Sequence, residues 1–264
     1  MKRIVFSLFQ SKVDKVGFSV TDYKANQFNK WHDQLIKVKK DYADLCNADF
    51  KMHYPDLNNF VDLQFEKIRL LEQYAERYDE VLYLDFDIIP SPNAENIFNN
   101  VDISKICMYP LIRKMTFREM NEVLVMNKPN LDSQNMFVKT CAKNAMLLLD
   151  EIDSSDKCYN TGVIVGNSNV IKSLQFTDQL DHLHQLLSEA REDNVFPEEV
   201  YRHFVYNNEV YMTYLVEKNN IPFYDLSSNW NFILDDRGLT SSSVLKYDLL
   251  HVVNKDFDIW LENR

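Results

Sequence analysis

Glycine is scarce in this sequence: four occur among 264 residues, and no G-x-G triplet is present. Dinucleotide fingerprints and Walker loops both need closely spaced glycines so that backbone amides can approach phosphates. Both motifs are therefore excluded. The four cysteines form no C-x-x-C pair, which argues against a zinc knuckle and suits a reducing compartment.

Long apolar runs and basic clusters are also missing. No stretch reaches the apolar length that a membrane-spanning helix needs, and the short run after Met1 favours a first strand over a signal peptide. The net charge of −11 has no basic stripe to offset it, which argues against nucleic acid as a partner. These features predict a soluble, cytoplasmic protein.

The hydrophobic pattern alternates between short apolar runs and helical stripes, which predicts an α/β fold with a mostly parallel central sheet flanked by helices. The predicted strands lie at 4–9, 50–54, 81–84, 103–109, 163–165, 221–224 and 249–253, and the predicted helices at 25–36, 39–46, 61–80, 169–190 and 197–218. Residues 111–157 have weak periodicity and are interpreted as an irregular or helical insertion. A single domain over 1–264 is the simplest interpretation.

The tripeptide Asp85-Phe86-Asp87 directly follows the apolar run 81–84. Residues two apart in an extended chain point to the same side, so both carboxylates aim at one point at the carboxyl end of the sheet. Two close carboxylates repel each other and favour a bound cation, and hard oxygen ligands suit Mg²⁺ or Mn²⁺. Such an ion can bridge the phosphates of a nucleotide-sugar. Taken alone, D-x-D is also common in solvated turns.

The stretch 67–90, KIRLLEQYAERYDEVLYLDFDIIP, resembles the helix and strand of GT-A glycosyltransferases, especially family 8, which includes glycogenin and bacterial lipopolysaccharide galactosyltransferases. The resemblance implies a GT-A fold, the Rossmann-like fold of nucleotide-diphospho-sugar transferases. It also implies a nucleotide-binding half over 1–110 and an acceptor-binding half over 111–264.

The same resemblance assigns roles to individual residues. Asp87 would bind the metal directly, and Asp85 would contact both the metal and the ribose. Lys67, or Arg69 in its place, would lie near the nucleotide or the donor sugar. Ser7 in the first strand would also belong to the donor site.

A second segment, YNTGVIVGN over 159–167, resembles the "fNaGvmlin" segment of family 8 enzymes. The resemblance implies that Asn160 contacts the transferred sugar and that Thr161 and Gly162 line the donor site. Glycine at this position permits close approach of a ligand or a backbone. From composition alone, a plain turn before a strand has equal weight.

Near the C-terminus, His251 and Lys255 resemble part of the family pattern H-x-x-G-x-K-P-W, in which the histidine completes the metal site and the lysine holds the diphosphate. Lys255 follows His251 by four positions where the family usually has five, and Asn254 stands near the place of the glycine. The Pro-Trp pair is missing, although Trp260 lies close by. A structural histidine is the alternative that residue type alone favours.

Two further segments have weaker resemblances. NNEVYM over 207–212 is similar to the family's "DQdvlN" region, so Glu209 or a neighbouring amide would contact the donor sugar or the acceptor. A solvated helix face is the alternative. SNWN over 228–231 is similar to "lp.kWN", whose tryptophan packs beneath the active site; a core position for Trp230 is the alternative.

Together these motifs predict a glycosyltransferase that moves a sugar from a nucleotide-diphosphate sugar, a UDP-sugar by resemblance, to the hydroxyl of a carbohydrate or glycoconjugate, with retention of configuration. Asp85, Asp87 and His251 would hold Mn²⁺ or Mg²⁺, and Asn160 would join the two aspartates in catalysis. A haloacid-dehalogenase-type phosphohydrolase is one alternative; it would use the first aspartate as nucleophile and Asp235-Asp236 as a second acidic pair. An inactive GT-A module that only binds a nucleotide or glycan is another.

Overall fold

A computed structural model of the chain describes residues 1–10, 22–57, 60–111, 131–192, 207–234 and 246–262. The strands in these residues are β1 Arg3–Leu8, β2 Asp49–His53, β3 Glu80–Leu84, β4 Ile88–Pro90, β5 Ile106–Pro110, β6 Tyr159–Asn167, β7 Phe223–Asp225, β8 Phe232–Ile233 and β9 Leu249–His251. The helices are α1 Asp22–Leu45, α2 Phe60–Ala75, α3 Ile97–Asn100, α4 Leu131–Leu149, α5 Ser168–Lys172, α6 Phe176–Glu192, α7 Asn208–Lys218 and α8 Phe257–Leu261.

The chain divides into two compact units. The first unit contains Met1–Tyr109, Thr161–Ser173 and Pro222–Arg264, and the second contains Pro110–Asn160 and Leu174–Ile221. The single-domain arrangement stays a prediction.

A six-stranded sheet of order β2-β1-β3-β6-β5-β7 is built almost entirely from the first unit. β1 pairs in parallel with β2 and β3, and β5 pairs in parallel with β7. Helices α1 and α2 pack against it, so the predicted mostly parallel α/β sheet is confirmed. β3 and β6 pair antiparallel, with Leu84 opposite Val163. This pairing brings the start of β6 to the carboxyl end of β3, beside Asp85.

A smaller sheet, β4-β9-β8, lies after the turn that contains Asp85 to Asp87. β4 pairs antiparallel with β9, and Ile88 lies opposite His251. β8 pairs in parallel with β9, and in that ladder Ile233 is the partner of His251. Because Ile88 directly follows Asp87, this pairing places His251 beside Asp87, although the two residues are far apart in sequence.

Some predicted element boundaries are wrong. The helices predicted over 25–36 and 39–46 form one helix, α1, because no glycine or proline interrupts the sequence between them. The helix predicted over 169–190 is two, α5 and α6, because Gln175 adopts a left-handed backbone conformation with φ of 50°. Within the predicted insertion 111–157 the structure shows α4, and residues 112–130 lie outside the described residues. Residues 197–206 of the predicted 197–218 helix lie outside them too.

Two apolar clusters stabilise the first unit. One packs β1, β3 and β6 against the C-terminal half of α1 and against α3. The other joins the middle of α1 to the smaller sheet and α8, and it includes Phe86 from the Asp-Phe-Asp turn. Phe86 is buried in this cluster, which fixes the turn between the two aspartates. Among the described residues, no helix is both long and apolar enough to cross a membrane.

Candidate metal centre

Asp85, Asp87 and His251 converge at the carboxyl end of β3. One ligand atom from each of these three side chains lies within 4.8 Å of the other two. The turn is closed by the Ile88 amide, which donates to the Asp85 carbonyl at 3.0 Å, and the Val252 amide donates to the Asp87 carbonyl at 3.0 Å. Two carboxylates and an imidazole are a donor set that suits Mn²⁺, so the residues present fit a divalent cation.

Asp87 is buried and lies at the centre of this group. Its Oδ2 accepts a hydrogen bond from Lys255 and lies 3.3 Å from His251 Nε2. Burial opposes ionisation of the carboxyl, but Lys255 and His251 outweigh it and hold the pKa of Asp87 well below its usual range. Asp87 is therefore an anion at neutral pH, the form that binds a cation.

Asp85 is more open, with 27% of its side chain exposed. Its Oδ1 accepts hydrogen bonds from Lys67 Nζ at 3.2 Å and from the Tyr83 hydroxyl at 2.5 Å. The Lys67 ammonium also donates to the Thr161 carbonyl at 3.2 Å and lies 5.0 Å from the centre of the Tyr83 ring. Burial holds the pKa of Tyr83 well above its usual range, so the hydroxyl keeps its proton and remains a donor.

Lys67 and Arg69, the two alternatives on α2 for the basic residue of the donor site, have different surroundings. Lys67 is buried at the aspartates, whereas the exposed Arg69 pairs with Glu66 on the same helix at 2.5 Å. Lys67 is the basic residue that the fold brings to the site.

Ser7, Thr161 and Gly162 surround the end of β3. The buried Ser7 hydroxyl donates to the Leu84 carbonyl at 2.6 Å, and the Asp85 amide donates to the Gly162 carbonyl at 2.8 Å. These contacts fix the backbone from which Asp85 projects. Direct binding of a nucleotide by the three residues stays a prediction.

Lys39 is a site residue that the sequence did not reveal. It is fully buried, and its ammonium donates to the carbonyls of Phe86 at 2.8 Å and Ile88 at 2.7 Å, one on each side of Asp87. Burial lowers the pKa of Lys39 to about 7, against the opposing effect of Asp87 and Asp85. Its spacing of four from the buried Leu35 places it on the apolar stripe of α1, a signal that could have identified it.

A cavity of about 350 Å³ opens beside the turn, at the carboxyl ends of β1 and β2. Phe9, His32 and Tyr54 contribute aromatic rings to its lining. The Phe86 ring lies 4.5 Å from the Phe9 ring and 5.5 Å from the His32 ring, so the middle residue of the Asp-Phe-Asp turn packs against the cavity wall. The volume is within the range of small-molecule sites. The sequence did not predict this cavity.

Lys255 reaches Asp87 despite the shortened spacing from His251. Its backbone is left-handed, with φ of 66°, and its amide donates to the Val252 carbonyl at 3.0 Å. A non-glycine residue in this conformation carries backbone strain, which is frequent at functional sites.

The second unit contains the remaining predicted pair. Asn160 Nδ2 donates to Glu209 Oε1 at 2.7 Å, and Lys139 pairs with the other oxygen of Glu209. Both Asn160 and Glu209 are buried, so the solvated-face alternative for Glu209 is wrong. Asn160 directly precedes Thr161 in the chain. Trp230, by contrast, packs in the first unit's apolar core, as its alternative predicted.

Comparisons with known proteins give weak matches. No family model matches the chain. A Haemophilus influenzae protein that is provisionally named a glycosyltransferase is 23% identical over 104 residues, which is 38% of this chain and 31% of that protein. The matched segment therefore spans about a third of the relative's length.

Three similar solved structures are glycosyltransferases. A glycosyltransferase involved in glycosylation of the major capsid of PBCV-1 is 14% identical, with a TM-score of 0.46 and coverage of 96% of this chain and 93% of that one. Mouse xyloside xylosyltransferase 1 is 12% identical, with a TM-score of 0.43 and coverage of 96% and 98%. Galactosyltransferase LgtC, in complex with donor and acceptor sugar analogs, is 11% identical, with a TM-score of 0.42 and coverage of 99% and 93%.

Proposed function

We propose that this protein is a metal-dependent glycosyltransferase of the GT-A type that moves a sugar from a nucleotide-diphosphate sugar to an acceptor hydroxyl. The observation that carries the proposal is the convergence of Asp85, Asp87 and His251 at the carboxyl end of β3. Ligands of open α/β sheets bind at this edge. Three protein ligands leave coordination positions for phosphate oxygens and water.

Each charged residue has a role in this proposal. Asp85, Asp87 and His251 would hold Mn²⁺ or Mg²⁺, which supplies Lewis-acid stabilisation of the departing diphosphate when bound. Lys255 would neutralise the diphosphate, since its ammonium already lies at Asp87. Lys67 orients Asp85 by donating to its Oδ1. Lys39 fixes the Asp-Phe-Asp turn by donating to the Phe86 carbonyl.

The aromatic cavity supports a nucleoside donor. The rings of Phe9, His32 and Tyr54 offer flat apolar surface for a base, and Phe86 links them to the metal-binding turn. We propose a UDP-sugar as the donor. In the second unit, Asn160 would contact the transferred sugar, and Glu209 holds its amide.

The acceptor in this proposal is a carbohydrate or glycoconjugate hydroxyl, and the transfer retains the anomeric configuration. In the proposed step the acceptor oxygen forms a bond to the anomeric carbon, and the bond from that carbon to the diphosphate breaks. The proton of the acceptor hydroxyl passes to an oxygen of the leaving diphosphate. The phosphohydrolase alternative has less support, because the third ligand group among the described residues is the imidazole of His251. The acidic pair that it requires, Asp235 and Asp236, lies outside the described residues.

A nucleotide-sugar panel tests the proposal. UDP-, GDP-, dTDP- and CMP-sugars are added with and without Mn²⁺, and the unfolding temperature is recorded, because a ligand specific for the folded state raises it by mass action. We expect one nucleotide-sugar to stabilise the protein only when Mn²⁺ is present. Turnover of that donor is then measured by release of its nucleotide.

Two variants decide the result. Asp87→Ala should abolish both the Mn²⁺-dependent shift and turnover, whereas Asp41→Ala, on the exposed side of α1, should leave both unchanged. Unchanged turnover by Asp87→Ala contradicts the metal centre. Binding without turnover across a panel of acceptors indicates the inactive module, and phosphate release from an aryl phosphate indicates the phosphohydrolase.

A further inference from the structure

The two ring nitrogens of His251 face different partners. Nε2 lies 3.3 Å from Asp87 Oδ2, on the side of the candidate metal ligands. Nδ1 lies 3.1 Å from the side-chain oxygen Oδ1 of Asn231. Both His251 and Asn231 are buried, and Asn231 is 0% exposed. The contact with Asn231 therefore acts in a dry environment, where hydrogen bonds have the strongest effect on ring protonation.

An amide oxygen only accepts hydrogen bonds, so Nδ1 of His251 must carry the proton in this contact. In the protonated ring both nitrogens donate, and Nε2 then stabilises the Asp87 carboxylate. In the neutral ring the contact with Asn231 keeps the proton on Nδ1, and Nε2 presents its lone pair toward Asp87. A lone pair and a carboxylate oxygen repel each other unless a cation lies between them. Histidines that bind metals are commonly oriented in this way, by a partner that accepts from the other ring nitrogen.

We propose that Asn231 is a positioning residue that selects the Nδ1–H tautomer of His251 and so prepares Nε2 to bind a divalent cation. The inference rests on the metal centre of the proposed function and assigns a residue outside its three ligands. Asn231 itself does not touch the reacting atoms.

The fold holds Asn231 firmly in place. It immediately precedes β8, whose Ile233 is the ladder partner of His251, and the Leu234 amide donates to the His251 carbonyl at 2.9 Å. On its other side, the Asn229 carbonyl accepts from the amides of Asp248 at 2.9 Å and Leu249 at 3.1 Å. The backbone on both sides of Asn231 is therefore tied to the strand that carries His251.

The tautomer can be measured without any metal. The protein contains six histidines, so imidazole ¹⁵N spectra of the metal-free protein are assigned with His251→Gln and recorded at a pH where the ring is neutral. We expect the wild-type His251 signal to be that of the Nδ1–H tautomer. Asn231→Leu removes the acceptor at similar volume, and its His251 should become the Nε2–H tautomer, which can donate to Asp87. A wild-type Nε2–H signal overturns the proposal, even where the leucine variant does not fold.

A Mn²⁺ titration, followed by loss of the free-ion electron paramagnetic resonance signal, gives the second readout. Asn231→Leu should weaken Mn²⁺ binding about 10–100-fold, the usual effect of removing a residue that orients a ligand. Asn231→Asp keeps an acceptor and should bind at least as tightly as the wild type. Asn229→Ala, whose side chain contacts Asp248, should leave the affinity unchanged.

The two readouts separate the inference from the proposed function. Wild-type protein that binds no Mn²⁺ contradicts the metal centre, while the tautomer spectra still decide the role of Asn231. Wild-type and Asn231→Leu proteins that bind Mn²⁺ equally well overturn the positioning role but leave the proposed function standing.

Discussion

Each unit contains a group of aspartate, lysine, histidine and tyrosine side chains, yet the two groups are arranged differently. In the second unit, Asp150 Oδ1 lies 2.9 Å from His182 Nε2, and Oδ2 accepts from the Tyr214 hydroxyl and from Lys218, the latter at 2.9 Å. Both oxygens of this carboxylate therefore have protein partners.

In the first unit the partners crowd onto one oxygen of each carboxylate. Lys67 and Tyr83 both act on Oδ1 of Asp85, and the partners of Asp87 lie at Oδ2. Within the described part of the chain, this leaves one oxygen of each aspartate available to a cation. Residue types alone do not distinguish the two groups. The distribution of donors over the carboxylate oxygens does, and it supports the proposed binding site in the first group and a structural role for the second.

The buried ion pair between Lys143 and Glu217 is a second structural group in the second unit, and breaking it should have the largest effect. Lys143 is 0% exposed and donates to the two oxygens of Glu217 at 2.8 and 3.0 Å. We expect Lys143→Met to lower the free energy of unfolding by about 3–5 kcal/mol, because it leaves the Glu217 carboxylate, whose side chain is only 12% exposed, without its counter-ion. Urea unfolding measures this loss.

A matched double variant tests the reason for that loss. Lys143→Met combined with Glu217→Met removes both charges and should recover much of the stability. If Lys143→Met lowers the free energy of unfolding by less than the double variant does, the ion pair does not stabilise the second unit and is not a structural group.

Asp87→Asn should have the next largest effect, on catalysis. Removing one preorganised charge of this kind costs about 2.7–4 kcal/mol of transition-state stabilisation, which is roughly 100–1000-fold in kcat. Asp150→Asn, in the structural group, should keep the wild-type kcat at temperatures where it is folded. Steady-state kinetics with the donor from the panel check both. Equal losses in the two variants would remove the distinction between the two groups.

The sequence was sufficient for the parts of this site that local pattern controls. A buried apolar run followed by Asp85-Phe86-Asp87 predicted carboxylates at the end of β3, because a strand's periodicity and its exit are local properties. His251 was found through its resemblance to a family pattern. The pairing of β9 with β4, which joins the two, depends on long-range contacts that no local pattern encodes.

Residues that act through tertiary contacts were missed. Lys39 resembles any helix lysine until α1 packs beneath the turn and buries its ammonium. In the sequence Asn231 stands out only as the neighbour of Trp230, because its role depends on which nitrogen of His251 it faces. The antiparallel direction of β6 was also missed, because a continuous apolar run indicates burial but not strand direction.

The pH dependence of stability offers a smaller test of the structural group. Tyr214, Lys218 and His182 donate to Asp150 and outweigh its burial, so they hold its pKa below the usual value of 3.8. A carboxyl whose folded pKa is depressed contributes stability above its unfolded pKa and loses it as the pH falls through the folded pKa. Asp150→Asn should therefore cost about 1.5–3 kcal/mol at neutral pH, the scale of hydrogen bonds to a charged group.

The measurement is urea unfolding of the wild type and Asp150→Asn across the acidic range. The difference between the two should be constant near neutrality and should shrink below about pH 3.8. A difference that does not change with pH would show that Asp150 does not contribute through its charge, and the comparison with the group around Asp87 would lose its electrostatic basis.

The smallest effect belongs to an exposed pair of the same chemistry. Lys37 and Asp41 lie one turn apart on α1, with 3.0 Å between Nζ and Oδ2 and side chains that are 65% and 58% exposed. A double-mutant cycle with Lys37→Ala and Asp41→Ala should give a coupling of about 0.3–0.5 kcal/mol, which high salt should remove. Burial and donor placement, rather than the presence of a lysine near an aspartate, then account for the larger effects at Lys143 and Asp87. A coupling above about 1 kcal/mol would exceed the range for exposed pairs and contradict that explanation.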